Sequence, residues 1–437
     1  MRRKLFAFLF TAVFLNLCQA QPVAVEQVVQ LALQKNYDVR LFQNSAALAA
    51  NDSRFSFGLY LPTINGQGAY VRNTNDSRNV TFSNNETIRE GVQSTNLNGS
   101  AQLIWTIFDG TKMFATHKRL AELEVLGQLN AKNQMVNTAA SVIATYYGIV
   151  RQIQQLKAIQ EQTSVSEERV KLAERKLQVG TGGKPELLQA KVDLNAFRTA
   201  ALAQVTLIQQ LKDQLNSQVA MGLPDNFDIN DSIPIITTLA LEDILSNIEN
   251  SNTALIAQRK SISVAEQSLR ENRAGRSPII NLTSSYNFNR TENELQTSPV
   301  AQKYIRNKGY NLGASITIPI LNGMNTNRLI GQSKVNLERQ KLIYEQQLTL
   351  VTVGIRIAYT SYSNALKVLA IEEENILLAR ENVNIALEGF RRGITTFIEL
   401  RTAQQSLADA YNRLIAARFN AKISETELFR LQGSLIN

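Results

Sequence analysis

Residues 179–190, VGTGGKPELLQA, set three glycines around a lysine, the raw material of a loop that cradles phosphate with backbone N–H groups. A phosphate loop of the form G-x-x-x-x-G-K-[ST] also needs a strand before it and a hydroxyl after the lysine to hold magnesium. Here Gln178 stands where the first glycine should be, Pro185 follows Lys184, and the preceding residues are helical in pattern. The stretch fails as a nucleotide site, so its glycines need another reason.

Other chemistry is scarce. His117 is the single histidine and reads as a polar residue on a helix surface, while Cys18 is the single cysteine. No H-E-x-x-H, G-x-S-x-G or clustered-carboxylate motif appears, so neither a cofactor nor a metal is expected and an enzyme is disfavoured.

Arg2, Arg3 and Lys4 precede an apolar run, Leu5 to Leu17, that is too short to cross a bilayer, and Cys18-Gln19-Ala20 follows as a small-residue cleavage site. Residues 1–20 therefore read as an export signal, with Gln21 as the first mature residue and no cysteine left for disulfides or thiolate metal sites. Leu17 is too large for the position before a lipid-modified cysteine, so Cys18 is read as unlipidated. Removing the signal's three cations lowers the formal charge from +9 to +6, too modest to imply nucleic acid. After the signal no run of ~18 apolar residues occurs. An exported soluble protein and a barrel with weakly alternating strands both remain open.

The elements that position the glycine stretch come twice. Pro62 matches Pro278 and Asn36 matches Asn252 at an offset of 216, and beyond about residue 97 the offset becomes 213. Gly110 then falls on Gly323, Tyr146 on Tyr359, Gly180 on Gly393, Glu186 on Glu399, Leu187 on Leu400 and Ala190 on Ala403. The change of offset lies within polar stretches rich in Asn, Ser and Thr, read as exposed loops that tolerate a length change. After the signal, the boundaries are a first repeat over 21–222, a linker over 223–240 and a second repeat over 241–437.

Each half reads as a helix, a strand, a polar loop, a strand, then a long helical stretch broken once by glycine. Strands are expected at about 64–72, 97–108, 279–289 and 310–321. Leu97, Gly99, Ala101, Leu103, Trp105 and Ile107 alternate with polar residues, as do Tyr310, Leu312, Ala314, Ile316, Ile318 and Ile320. A sheet packed on a soluble core explains this alternation as well as a lipid-facing wall does. Four strands cannot close a membrane barrel, so if they span lipid, several chains share one barrel.

From Thr111 to Val179 no proline occurs, which permits a helix of about 100 Å at 1.5 Å per residue. Pro185 to Ala220 would run back from the glycine turn, and Asn325 to Arg392 with Thr396 to Arg430 repeat the arrangement. Helices of this length that are only partly apolar suit a coiled coil. The tips at 180–185 and 392–396 are then turns of αα-hairpins, with Gly180 and Gly393 ending one helix at positive φ and Pro185 or Thr396 starting the next.

A duplicated exported chain with two strand pairs, long helical hairpins and two turns of the form G-x(5)-E-L-x-x-A resembles the TolC family of outer-membrane efflux channels. The resemblance implies a mainly α fold with a membrane β-barrel part: a homotrimer that pools four strands per protomer into a twelve-stranded barrel, above a long periplasmic coiled-coil tunnel. It implies residence in outer-membrane lipid and a passive exit duct for a tripartite efflux pump or type I secretion system. Its partners would be a periplasmic adaptor (membrane fusion) protein and an inner-membrane pump or ABC exporter, with no nucleic acid.

By the same resemblance Glu186, Glu399, Thr402 and Arg401 lie at a periplasmic gate, and Gly180, Thr181, Leu187, Gly393, Thr395, Phe397 and Leu400 form adaptor-docking tips. The chain departs from the family where Tyr37 replaces a proline after Asn36, where Thr402 stands for an acid and where Thr395 stands for an arginine. A first-turn position also suits each glutamate to its helix dipole alone. An exported coiled-coil scaffold without a pore is the alternative function.

Overall fold

The computed structural model describes residues 23–436 except 81, 84–85, 225–226 and 295–301. The expected signal, with Cys18, lies outside the described residues. In chain order the elements are α1 (Val25–Lys35), α2 (Tyr37–Phe55), a 3-10 turn (Ser56–Tyr60), β1 (Thr63–Val80), β2 (Glu86–Phe108), α3 (Lys112–Gln178) and α4 (Lys184–Gln218). Then follow α5 (Leu241–Ser246), α6 (Ile248–Ser251), α7 (Thr253–Ala274), β3 (Ile279–Asn293), β4 (Tyr304–Thr317), α8 (Asn325–Arg392) and α9 (Phe397–Gln432). Two compact units arise among the described residues, and each draws on both halves of the sequence: one holds those up to Phe42, in 131–253 and from Leu348 onward, the other those in 43–130 and 254–347.

The first unit is a helical bundle. On α9, Leu400, Ala403, Leu407, Ala410, Leu414, Ala417 and Ala421 are buried at alternating intervals of three and four. That average of 3.5 is the coiled-coil seam period. The seam packs on Ile376, Val383, Ala386 and Phe390 of α8 and on Ala158 of α3. A second core joins Val28 and Ala32 of α1 to Val142, Tyr146 and Val150 of α3, Leu215 of α4, and Phe227 and Ile229 of the linker.

The linker carries little regular structure, so helix side chains satisfy its backbone. The Asn216 amide donates to the Leu223 carbonyl (3.2 Å) and its oxygen accepts from Leu223 N (3.0 Å), while the Glu425 carboxylate accepts from Ile236 N (3.0 Å). The matched pair Asn36 and Asn252 does equivalent work. Asn36 Nδ2 donates to the Gln218 carbonyl at the end of α4 (2.8 Å), and Asn252 Nδ2 to the Leu431 carbonyl at the end of α9 (2.7 Å). Asn36 Oδ1 also accepts from Asp38 N (2.9 Å), starting α2 without the proline that the resemblance led one to expect.

The second unit contains a four-stranded antiparallel sheet in the order β1-β2-β3-β4. Cross-strand register puts Ile64, Leu103, Ser284 and Leu312 in one row and Gly66, Ala101, Tyr286 and Tyr310 in another, so one face is mainly apolar. The opposite face carries Asn65, Gln67, Asn98, Ser100, Gln102, Asn281, Thr283, Ser285, Asn311 and Ser315. The apolar face is bare: Tyr310 is 85 % and Leu312 78 % exposed. A soluble sheet packed on its own core would have covered it. Among the described residues no helix is long and apolar enough to cross a membrane.

The strand limits differ from expectation in two ways. The stretch 73–96, read as mostly loop, is largely ladder: β1 continues to Val80 and β2 starts at Glu86, with a bulge between Asn75 and Ser77. Antiparallel pairing satisfies the backbone whatever the side chains are, and ions such as Arg72, which pairs with Glu294 (3.1 Å), sit on its rim. In the other direction β4 stops at Thr317 rather than near 321, because Pro319 has no N–H to give the ladder.

Candidate functional site: the two hairpin tips

At the first tip Gly180 takes φ 77° and closes α3. Its N–H donates to the Leu177 carbonyl (3.2 Å) and that of Thr181 to the Lys176 carbonyl (2.9 Å), the paired 5→2 and 6→1 bonds of a Schellman cap. The second tip matches it: Gly393 also has φ 77°, its N–H donates to Phe390 O (3.2 Å), and Ile394 N to Gly389 O (2.8 Å). A β-carbon on Gly182 would lie 2.7 Å from Lys176 Cβ, while one on Gly389 would lie 2.1 Å from Thr395 Oγ1. The offset of 213 pairs Lys176 with Gly389 and Gly182 with Thr395. The same crossing point therefore has a glycine in both turns, on opposite sides of the contact.

The restarts differ. Pro185 stands in the first turn of α4, whereas Thr396 N-caps α9 in a reciprocal box with Glu399. The Glu399 carboxylate accepts from Thr396 N (2.7 Å) and Thr396 Oγ1 (3.0 Å), and Glu399 N donates to Thr396 Oγ1 (3.3 Å). The hydrogen bond from the Thr396 backbone, and then that from its hydroxyl, hold the Glu399 carboxyl below the usual carboxylate range.

Behind the tips lies a polar cluster that the motifs did not reveal. Arg169 of α3 is 1 % exposed and donates to Asp193 Oδ2 of α4 (2.6 Å) and to Gln404 Oε1 of α9 (2.8 Å). Its guanidinium carbon sits 5.1 Å from the Phe397 ring centroid. Arg401 reaches the same Asp193 oxygen (3.3 Å), and Gln189 donates to its other oxygen (2.8 Å). Burial pulls the Arg169 pKa down, and Asp193 works against that shift. One legible signal existed: Gln162, Ser166, Arg169 and Ala173 are buried at seam spacing, so a charge occupied a seam position.

The expected gate and docking residues divide accordingly. Arg401 pairs with Asp193 rather than with Glu186 or Glu399, and Thr402 Oγ1 donates to the Ile398 carbonyl of its own helix (3.0 Å). Glu186 is half-buried. Gly180, Thr181 and Gly393 are exposed, and Thr395 is half-buried. Leu400 is a correction: it is fully buried in the α8–α9 seam and offers a partner nothing. Leu187 and Phe397 pack on Val170, Ala190 and Leu194. The apolar side chains left outside are Val179, Leu188, Ile394 and Ile398.

Two measurements test this geometry. Asp193→Ala strands the buried Arg169 and is expected to cost about 3–5 kcal/mol in chemical unfolding. Arg401→Ala, whose side chain is 55 % exposed, should cost no more than about 1 kcal/mol. Gly182→Ala is expected to cost about 1–3 kcal/mol next to Lys176 and distinctly less after Lys176→Gly, which leaves only the backbone contacts at 3.2 and 3.3 Å. Additive effects in that double-mutant cycle would refute the crossing contact.

Residues 244–434 match the family model described as outer membrane efflux protein. The chain is 22 % identical over 363 residues to outer membrane protein TolC of Salmonella enteritidis, covering 81 % of this chain and 72 % of that one. It is 24 % identical over 408 residues to outer membrane efflux protein BepC of Brucella suis biovar 1, covering 91 % and 84 %. Its fold superposes on the Campylobacter jejuni CmeC outer membrane channel with a TM-score of 0.77 at 17 % identity, covering 94 % of this chain and 85 % of that one. With the open sheet, the bare apolar face and the twin capped hairpins, these likenesses lead to one conclusion: residues 244–434 carry an outer membrane efflux protein family domain, and the chain is a homologue of TolC and BepC, an outer-membrane protein rather than an enzyme.

Proposed function

We propose that three copies of this chain form an outer-membrane exit duct that passively conducts what a tripartite efflux pump or a type I secretion system delivers. The observation that carries this reading is the four-stranded sheet with a bare apolar face and two unpaired edges, β1 and β4. Hydrocarbon does not tolerate open edges, so further copies must pair them, and three sets of four strands give a twelve-stranded wall. The polar face rich in Asn, Ser and Thr then lines a wet lumen. Exposed apolar residues along α8, among them Leu342, Leu350, Ile357, Ile371 and Ile385, supply surface for the same copies to cover.

The hairpin tips act as the periplasmic gate, with Glu186 and Glu399 of three protomers setting a preference for cations. The Arg169–Asp193–Arg401 cluster ties α3, α4 and α9 within each protomer, so the tips move as braced pairs. Docking of a periplasmic adaptor uses Gly180, Thr181, Gly393 and Thr395 together with Val179, Leu188, Ile394 and Ile398. A partner with complementary small and apolar side chains fits these exposed positions. An inner-membrane pump or ABC exporter supplies the energy.

In planar bilayers the purified protein should conduct, migrate as a heat-modifiable trimer, and favour cations. Glu186→Gln with Glu399→Gln should cut the cation-to-anion permeability ratio by roughly twofold or more. The sign of the pH effect follows from the lowered Glu399 pKa: the charge persists as pH falls through the usual glutamate range and is lost only below it. Thr396→Ala should move that loss to higher pH. An unchanged ratio in the double variant would remove the gate role while leaving conduction.

Docking is tested by single cysteines at Thr181 and Ile394, introduced into a chain whose only other cysteine is Cys18. Both should crosslink to the cognate adaptor in cells, and a cysteine at buried Leu400 should not. Absence of adducts at both tips would count against this surface.

A further inference from the structure

The corner where the second unit's sheet meets its helices contains a basic cavity that conduction does not use. Gly110 ends the run from β2 at φ 74°, and a β-carbon there would lie 2.3 Å from Ser277 Cβ and 2.7 Å from the Ala274 carbonyl. The last turn of α7 is thus pressed onto the corner, and Ala274 at its end is buried. Above this contact a cavity of about 480 Å³ opens, lined by Phe114 and Lys118 of α3, Gln267, Arg270 and Arg273 of α7, and Ser277.

Three cations line this cavity and no carboxylate does. Glu271, between the two arginines in sequence, is turned to Arg119 instead (3.0 Å). Asp109 is taken by the start of α3, where it accepts from Met113 N (3.0 Å). Arg273 alone would answer the C-terminal dipole of α7. Lys118 and Arg270 exceed that need, and among the described residues none of the three cations has an ion-pair partner.

A second observation fixes the depth of the cavity. Phe55, Phe57 and Phe114 are exposed here, the Tyr60 ring lies 5.3 Å from that of Phe114, and Trp105 Nε1 donates to the Tyr60 carbonyl (2.9 Å). Exposed aromatics with Trp and Tyr at one rim of an apolar strand face mark the level of lipid headgroups. The helices leave the sheet at this end. In an outer-membrane channel with a periplasmic helical part, this rim faces the inner leaflet.

We propose that this cavity binds the phosphodiester headgroup of an anionic phospholipid, with Lys118, Arg270 and Arg273 around the phosphate, Ser277 as a neutral donor, and Phe114 against the glycerol backbone. A zwitterionic headgroup carries its own ammonium into the same three positive charges and is disfavoured. An anionic one is not. The site holds each protomer at a set height in the bilayer, beside the corner where strand becomes helix. It rests on the outer-membrane location and not on the gate, so conductance and lipid binding fail independently.

The test is native mass spectrometry of the purified trimer carried through an equimolar mixture of phosphatidylglycerol and phosphatidylethanolamine. Wild-type protein should retain phosphatidylglycerol in several-fold excess. Lys118→Gln, Arg270→Gln and Arg273→Gln should each lower that excess roughly fivefold or erase it, while Lys118→Arg keeps it. Heat-modifiable migration and unchanged conductance show that the variants are folded. Equal retention of the two lipids by wild type overturns the proposal, and so does an excess that survives all three substitutions. A third arm adds inorganic phosphate at about 10 mM, enough to fill a site of millimolar affinity. Phosphate retained without any lipid excess would assign the cavity to a free anion and overturn the lipid reading.

Discussion

A backbone amide in hydrocarbon has no water to turn to, and the proposed outer-membrane barrel would put two strand edges of this chain in that position. The ladders among β1, β2, β3 and β4 satisfy three seams; among the described residues the outer edges of β1 and β4 carry no ladder. Much else follows from that unpaired backbone. The sheet sorts its side chains into an apolar face and an Asn- and Ser-rich face, as a wall with lipid on one side only would require. Helices of the length of α3 and α8 are stabilised by extended seams, with exposed apolar rows that further copies can cover.

The sequence was a good guide wherever a residue's local geometry decides the outcome. Gly180 and Gly393 were readable as helix ends because a left-handed cap rewards glycine over other residues, and both take φ 77°. Alternation at Leu97–Ile107 and Tyr310–Ile316 survives as a sheet face because the pleat has a period of two. The polar stretch 73–96 was misread for the opposite reason. Its pairing is carried by main-chain bonds, and Asn, Ser and Thr do not forbid a ladder wet on both sides.

Tertiary partners were the least legible part. Leu400 was singled out beside Glu399 as a docking residue, yet a seam with period 3.5 turns Leu400 inward and leaves Ile398 outside. Arg169 and Asp193 fall outside the turn motif that ends at Ala190, and their pairing exists only once α3 and α4 are packed together. Glu399 was legible as a first-turn carboxylate, but its engagement with Thr396 depended on a cap residue that the first tip, with Gly183 and Pro185, lacks.

The two tips also bear on how such a chain can change over generations. Lys176 faces Gly182 in one turn, and Gly389 faces Thr395 in the other, so each turn keeps one side of the crossing bare. A single substitution that adds a side chain to the bare side collides with the occupied one. If both turns descend from one ancestral hairpin, the route between their arrangements runs through an intermediate with glycine on both sides. The crowded glycines of residues 179–190 would then be one end of an inheritable trade between two positions that drift together.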